Sequence, residues 1–212
     1  MKSSLTLAGA ALLAAAPAFS QTSTLDFVGA PGYVNAIGNF YNGGTDSLGQ
    51  SGPNLGVSFT DAIVGLTNDA LGPYFAGEPS PTAIYSEDAS GVMNVAQGFV
   101  GGLSFFYSAG QNTLDAVKIY SGLDATGTLL ASASVFGNGP FGCAGGLTNF
   151  CRFDLTSVMF AGTAKSVSFG GGSPNVLFDN ITITAVPEPG TYAMLLAGLG
   201  VLGLLAARRR AD

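Results

Sequence analysis

Residues 177–184 read Leu-Phe-Asp-Asn-Ile-Thr-Ile-Thr, a run dominated by aromatic and β-branched side chains. Successive side chains of a strand point to opposite faces. Phe178, Asn180, Thr182 and Thr184 are therefore expected on one face, and Leu177, Asp179, Ile181 and Ile183 on the other. A carboxylate among isoleucines needs a partner; otherwise Asp179 caps a turn, or the two faces slip by one residue. Working outward, "GVSFT", "LSFFYSA", "AVKIYSG", "LLASASV" and "KSVSFGG" repeat the pattern, with glycine or asparagine at their edges. "KIYSGLDATGTLLAS" reads as two strands around a turn from Gly122 to Gly127. Between the two ends of the chain no stretch keeps a 3.6-residue apolar period. About ten strands in one domain predict an all-β fold, a two-sheet antiparallel sandwich of jelly-roll type.

That domain is expected over residues 21–185, a size that supports one real core. Its charge is sparse: Lys118, Arg152 and Lys165 against eleven acidic residues, a balance of −8. Nucleic acid is thereby an unfavourable partner. Ten core-type aromatics, from Phe27 to Phe178, exclude a disordered chain.

The two ends have a different character. Met1-Lys2, an apolar stretch from Leu5 to Ala15 and "AAAPAFSQT" read as a secretory signal peptide over residues 1–20. Cleavage by signal peptidase after Ser20, with Ala18 and Ser20 as the small pair, fits best, and cleavage after Ala18 is the alternative. At the other end, Tyr192 to Ala207 carries no charge and precedes Arg208, Arg209 and Arg210. A buried helix would explain such a short run. Its terminal place and basic flank instead predict a transmembrane helix over residues 192–207 with a cytoplasmic tip. Pro187 and Pro189 hold Val186 and Glu188 extended, so that helix cannot run back into the domain.

Taken together, Pro187-Glu188-Pro189, the apolar run and Arg208–Arg210 resemble the PEP-CTERM sorting signal over residues 186–212. The resemblance implies a substrate of exosortase, with Pro187, Glu188, Pro189 and the three arginines as its recognition residues. It further implies a precursor held transiently in the inner membrane of a Gram-negative bacterium with a periplasmic domain. The processed protein would then reach the cell surface or an extracellular matrix rich in exopolysaccharide.

The domain itself is similar to the exported jelly rolls that precede such tails and to carbohydrate-binding sandwiches. "LDFVG", "MNVAQGFVGGLSFFYSA" and "FDNITIT" carry that likeness. It implies a structural calcium joining the first strand to the last, with Asp26 and Asp179 as ligands. Cys143 and Cys151 are the only cysteines, and in an exported chain an even pair predicts a disulfide. A zinc site lacks ligands, since histidine is absent.

The absence of histidine also removes the common triads, and no phosphate loop is present. Glu78, Glu87 and Asp88 lie in one loop-rich stretch without a spacing that selects a glycosidase pair. The chain is therefore expected not to be an enzyme. Tyr33, Phe40, Tyr41, Tyr74, Phe75 and Tyr85 form either a sugar platform or cover for sandwich edges. The leading expectation is an exported structural or adhesive matrix protein, and the alternative is a module recognising the cell's own polysaccharide. A glycan-cleaving enzyme and an ice-binding protein stand further off, because "ITIT" is a single threonine alternation.

Overall fold

Among the described residues ten strands form: β1 (Gln21–Leu25), β2 (Tyr33–Ala36), β3 (Val57–Phe59), β4 (Ile63–Thr67), β5 (Thr82–Ser86), β6 (Val92–Ala109), β7 (Thr113–Tyr120), β8 (Leu129–Val135), β9 (Asp154–Ser168) and β10 (Val176–Ala185). The computed structural model describes residues 21–68, 73–144, 149–186, 198–200 and 203. Among the described residues the strand order is β2-β4-β5-β10-β6-β9-β7-β8, with β1 beside β10 and β3 beside β6. Every one of these pairings is antiparallel. The first strand meets the last, from Gln21 opposite Ala185 to Leu25 opposite Ile181.

The two layers of this sandwich are joined by hydrogen bonds instead of standing as separate sheets. Strands β6 and β9, 18 and 15 residues long, take part in both. Val92 to Asn94 of β6 pair with the end of β9 and with β3, while Phe99 to Tyr107 pair with β10 and the earlier part of β9. Between these parts the register breaks twice, near Gly98 (φ 85°) and Gly101 (φ 82°). A bulge bends a strand and tightens its twist, and glycine accepts the left-handed backbone at little cost. At Gly98 a side chain would also meet the carbonyl of Ala164, 2.9 Å from where Cβ would stand.

A third bulge corrects the alternation expected for residues 177–184. The pairing of β10 with β6 slips between Asp179 and Thr182, and Asn180 takes φ 46°. The extra residue resets the side chains, so Phe178, Ile181 and Ile183 all enter the main core. Leu177 is buried in a second apolar cluster, and Asp179 does not share a core face with the two isoleucines. Phe178 packs edge-on against Phe105 at 5.5 Å and tilted against Phe169 at 4.8 Å, geometries that aromatic quadrupoles favour.

The tail is also corrected. No helix among the described residues is long and apolar enough to cross a membrane. The expected transmembrane helix over 192–207 is not found among the described residues, and the inner-membrane anchoring and periplasmic placement built on it fall with it. The signal peptide over 1–20, with Ala18 and Ser20, lies outside the described residues, as do Pro187, Glu188, Pro189 and Arg208–Arg210.

The bulge is testable at Asn180, whose buried side-chain oxygen has no hydrogen-bond partner among the described residues. Replacing it with glycine is expected to keep or raise stability. Asn180→Val should cost about 1–2 kcal/mol, because a β-branched residue resists the left-handed region. The measurement is the denaturant midpoint at constant m-value.

Candidate functional site

On the side of β4, β5 and β10 away from the main core, Leu66, Ala83 and Leu177 form an apolar strip. Phe75 seals it, with Tyr74, Tyr85, Phe150 and Phe153 partly buried around it. Two loops bring these rings into place. In the first, the Asn68 side chain accepts from the amides of Tyr74 (2.8 Å) and Phe75 (3.3 Å) and donates to the Phe75 carbonyl (2.9 Å). That amide does the work of a short turn and fixes where Tyr74 stands.

The second loop is fastened at several points. Cys143 and Cys151 form a disulfide with Cα atoms 5.0 Å apart. The Cys151 amide donates to the Gly139 carbonyl at 2.7 Å. Asn138 accepts from the Ala109 amide (2.8 Å) and donates to the Tyr107 carbonyl (3.1 Å) and to Asp154 (2.9 Å). Hydrogen bonds from Asn138 and then Arg152 hold the Asp154 carboxyl below the usual carboxylate range. Phe150 sits at φ 58°, and its carbonyl accepts the Ala76 amide at 2.9 Å, which links the two loops.

Between them lies a pocket of about 220 Å³ lined by Tyr33, Leu66, Tyr74, Tyr85, Phe150, Pro174 and Leu177. Tyr33 comes from β2 opposite Leu66, and its ring lies 5.2 Å from that of Tyr74 at 36°. Tyr33 is 58% exposed, so the pair presents an open aromatic wall. Burial, then the charge of Glu87, pushes the Tyr85 phenol up, which keeps it a neutral O–H group. Among the described residues no charged side chain lines the pocket.

The sequence-derived aromatic set therefore divides. Tyr33, Tyr74 and Tyr85 meet in the pocket. Phe40, Tyr41 and Phe75 are buried and structural. Phe150, Pro174 and Leu177 were not singled out, although Phe150 stands beside Cys151 at the end of the disulfide-bracketed segment.

The two candidate calcium ligands lie in one neighbourhood, where β1 meets β10. Asp179 is fully buried and accepts from the Ser80 amide (3.0 Å), the Ser80 hydroxyl (2.9 Å) and the Asn180 amide (2.6 Å). The carboxylate of Asp26 accepts from Tyr41 Oη (3.4 Å) and the Val28 amide (3.3 Å). Calcium takes six to eight oxygen ligands, whereas N–H and O–H donors surround Asp179. Among the described residues no three His, Cys, Asp or Glu gather to hold a metal ion. This donor set does not fit calcium.

Serine fastens the ends instead. Ser80 Oγ lies 2.7 Å from the Asp26 carbonyl and 3.0 Å from the Thr82 carbonyl as well as beside Asp179. One hydroxyl proton cannot serve all three acceptors, and a protonated Asp179 would add a second. Burial pushes the Asp179 carboxyl up to about 7, against the hydrogen bonds from Ser80 and Asn180 and with help from Asp26. The burial of Tyr41 pushes its phenol up too, so it stays neutral.

The PEP-CTERM protein-sorting motif, as a family, matches residues 185–210. The chain therefore carries that motif at its end. No curated protein matches the sequence. Among solved structures, the K1 cleaved adhesin domain of Lys-gingipain from Porphyromonas gingivalis W83 is 14% identical, with TM-score 0.45, over 79% of this chain and 99% of that one. A family 6 carbohydrate-binding module is 19% identical, with TM-score 0.38, over 60% of this chain and 86% of that one. CsCBM6-3 from Clostridium stercorarium, solved with cellobiose, is 17% identical, with TM-score 0.36, over 58% and 95%. Likeness at this level transfers no ligand.

Two measurements test the neighbourhood. Asp179 binds its proton more tightly folded than unfolded between about pH 4, the ordinary carboxylate range, and about 7. Its contribution to stability is thus full below about pH 4 and declines as pH rises to 7. The melting-temperature difference between wild type and Asp179→Asn should shift against wild type from pH 4.5 to 7.5 and then level. Separately, Asn68→Ala should lower stability by about 1–3 kcal/mol, since three backbone groups lose their partner, as measured by denaturant titration.

Proposed function

We propose that the domain binds a neutral polysaccharide through Tyr33, Tyr74 and Tyr85, as a non-enzymatic adhesive module of a surface-associated protein. The observation that carries this reading is the open aromatic wall, Tyr33 against Tyr74, above a pocket whose described lining carries no charge. Sugar rings present C–H faces that pack on aromatic rings, while phenol hydroxyls hydrogen-bond their edges. At about 220 Å³ the pocket suits one sugar ring or chain end, with the rest of the polymer passing over Tyr33. The domain's balance of −8 disfavours uronic-acid or sulfated chains.

The sorting motif supports delivery by a dedicated processing system. In this proposal exosortase reads Pro187-Glu188-Pro189 on the chain as its substrate. A structural matrix role without a ligand is the reading that a silent pocket would leave.

The test is affinity electrophoresis of the full chain through gels containing neutral glucans, xylan or alginate. Retardation is expected in a neutral polymer and not in alginate. Tyr74→Ala and Tyr33→Ala should each weaken binding about tenfold, roughly 1.4 kcal/mol, with an unchanged circular dichroism spectrum. Equal mobility in every gel, or retardation that survives both substitutions, would overturn the reading.

A further inference from the structure

Two residues at the pocket take a left-handed backbone, which a residue carrying Cβ resists. Val34, next to Tyr33, has φ 54°, and Phe150 itself has φ 58°. Such strain persists only where the surroundings over-determine the backbone. On the Tyr33 side the sheet does so. The ladder of β2 with β4 slips at Val34, with Tyr33 opposite Leu66 and Asn35 opposite Gly65. Tyr33 thereby turns to the pocket face, while Asn35 is buried on the other.

Phe150 has no such ladder, because it lies between β8 and β9. Its carbonyl accepts the Ala76 amide, and the next amide, of Cys151, donates to Gly139. The covalent hold on this segment is the bond from Cys151 to Cys143. The segment is pressed close to the first loop: a Cβ at Gly77 would stand 2.9 Å from the Cys151 carbonyl. The sandwich is tied separately. Asn138 bonds to the backbone of Tyr107 and Ala109 in β6 and to Asp154 at the start of β9.

We propose that the Cys143–Cys151 disulfide is a redox switch for the pocket: oxidation fixes Phe150 as the wall facing Tyr33 and Tyr74, and reduction withdraws that wall while the sandwich stays folded. This inference rests on the reading of the pocket as a polysaccharide site. Cys151 is buried and Cys143 is half-buried, so exchange starts at Cys143. A thiolate of a dithiol reductant attacks Cys143 Sγ, the sulfur–sulfur bond breaks, and Cys151 leaves as a thiolate that takes up a proton. The reductant's second thiolate then displaces Cys143 from the mixed disulfide, and Cys143 takes up a proton in turn. Two electrons and two protons pass to the chain, and the reductant ends as a disulfide. A disulfide oxidant reverses the same steps. Without the bond, the segment around Phe150 gains conformational freedom and its strained φ relaxes. A chain held in a reducing compartment therefore carries an incomplete site, which an oxidising compartment completes.

The experiment uses the full chain in the neutral glucan and xylan gels, oxidised and then kept reduced by a dithiol. Reduction is expected to weaken retardation about tenfold, with an unchanged far-ultraviolet circular dichroism spectrum and full recovery on reoxidation. The double variant Cys143→Ser, Cys151→Ser should match the reduced wild type. Phe150→Ala should weaken binding by a similar factor and abolish any further effect of reduction, because both changes remove one wall. Tyr33→Ala, on the wall held by the sheet, should instead add its own loss to that of reduction. Equal retardation of oxidised and reduced chains would overturn the switch while leaving the polysaccharide reading intact. Loss of the circular dichroism spectrum on reduction, or a full response to reduction in Phe150→Ala, would overturn it as well. An oxidised wild type that neither gel retards would overturn the polysaccharide reading itself, and the switch with it.

Discussion

The burial of Phe178 and Leu177 on opposite faces of β10 is the constraint that orders the domain. Neighbouring residues of a strand cannot both be hidden unless something covers each face. Phe178 draws the main core to one side, through Phe105 and Phe169. On the other side Leu177 requires a second cover, supplied by Phe75, Phe150 and Phe153 from two loops. The pocket is the part of that cover left open. Its existence follows from burying a central strand on both faces with only a few aromatic residues to finish the task.

The same strand explains the polar chemistry beneath the loops. With β1 on one flank and β6 on the other, β10 brings Asp179 to the place where the domain's ends join. A buried carboxylate is costly unless hydrogen-bonded or neutral. Ser80 meets that need from the stretch between Phe75 and β5, so the acid ties β10 to the segment that follows the pocket wall. Stability of the sandwich and placement of the loops are coupled at one side chain.

Much of the architecture was legible because it rests on period-two patterns. The run Leu129–Val135 is a strand over its full length, and the turn from Gly122 to Gly127 lies between β7 and β8. The bulge at Asn180 was not legible, since asparagine permits a left-handed backbone without demanding one. It moved Asp179 off the isoleucine face. In the pocket, Tyr33, Tyr74 and Tyr85 were visible as aromatics in loop-like surroundings. Phe150 was not, because its place depends on a backbone hydrogen bond to Ala76, far away in the chain. Phe40, Tyr41 and Phe75 looked alike to the pocket tyrosines in sequence, but their surroundings turned them inward. Tyr41 does so with its hydroxyl held by the Phe27 amide at 2.7 Å.

The pairing of Gln21 with Ala185 carries a kinetic consequence. A contact between the two extremes of a domain closes the longest loop it has, and the entropy of that closure is met before the contact gives anything back. The first strand therefore has no native neighbour while the chain is being made, and waits until the last strand has left the ribosome. Until then the local pairs of β4 with β5 and of β7 with β8 can form, while the seam between the domain's two ends stays open.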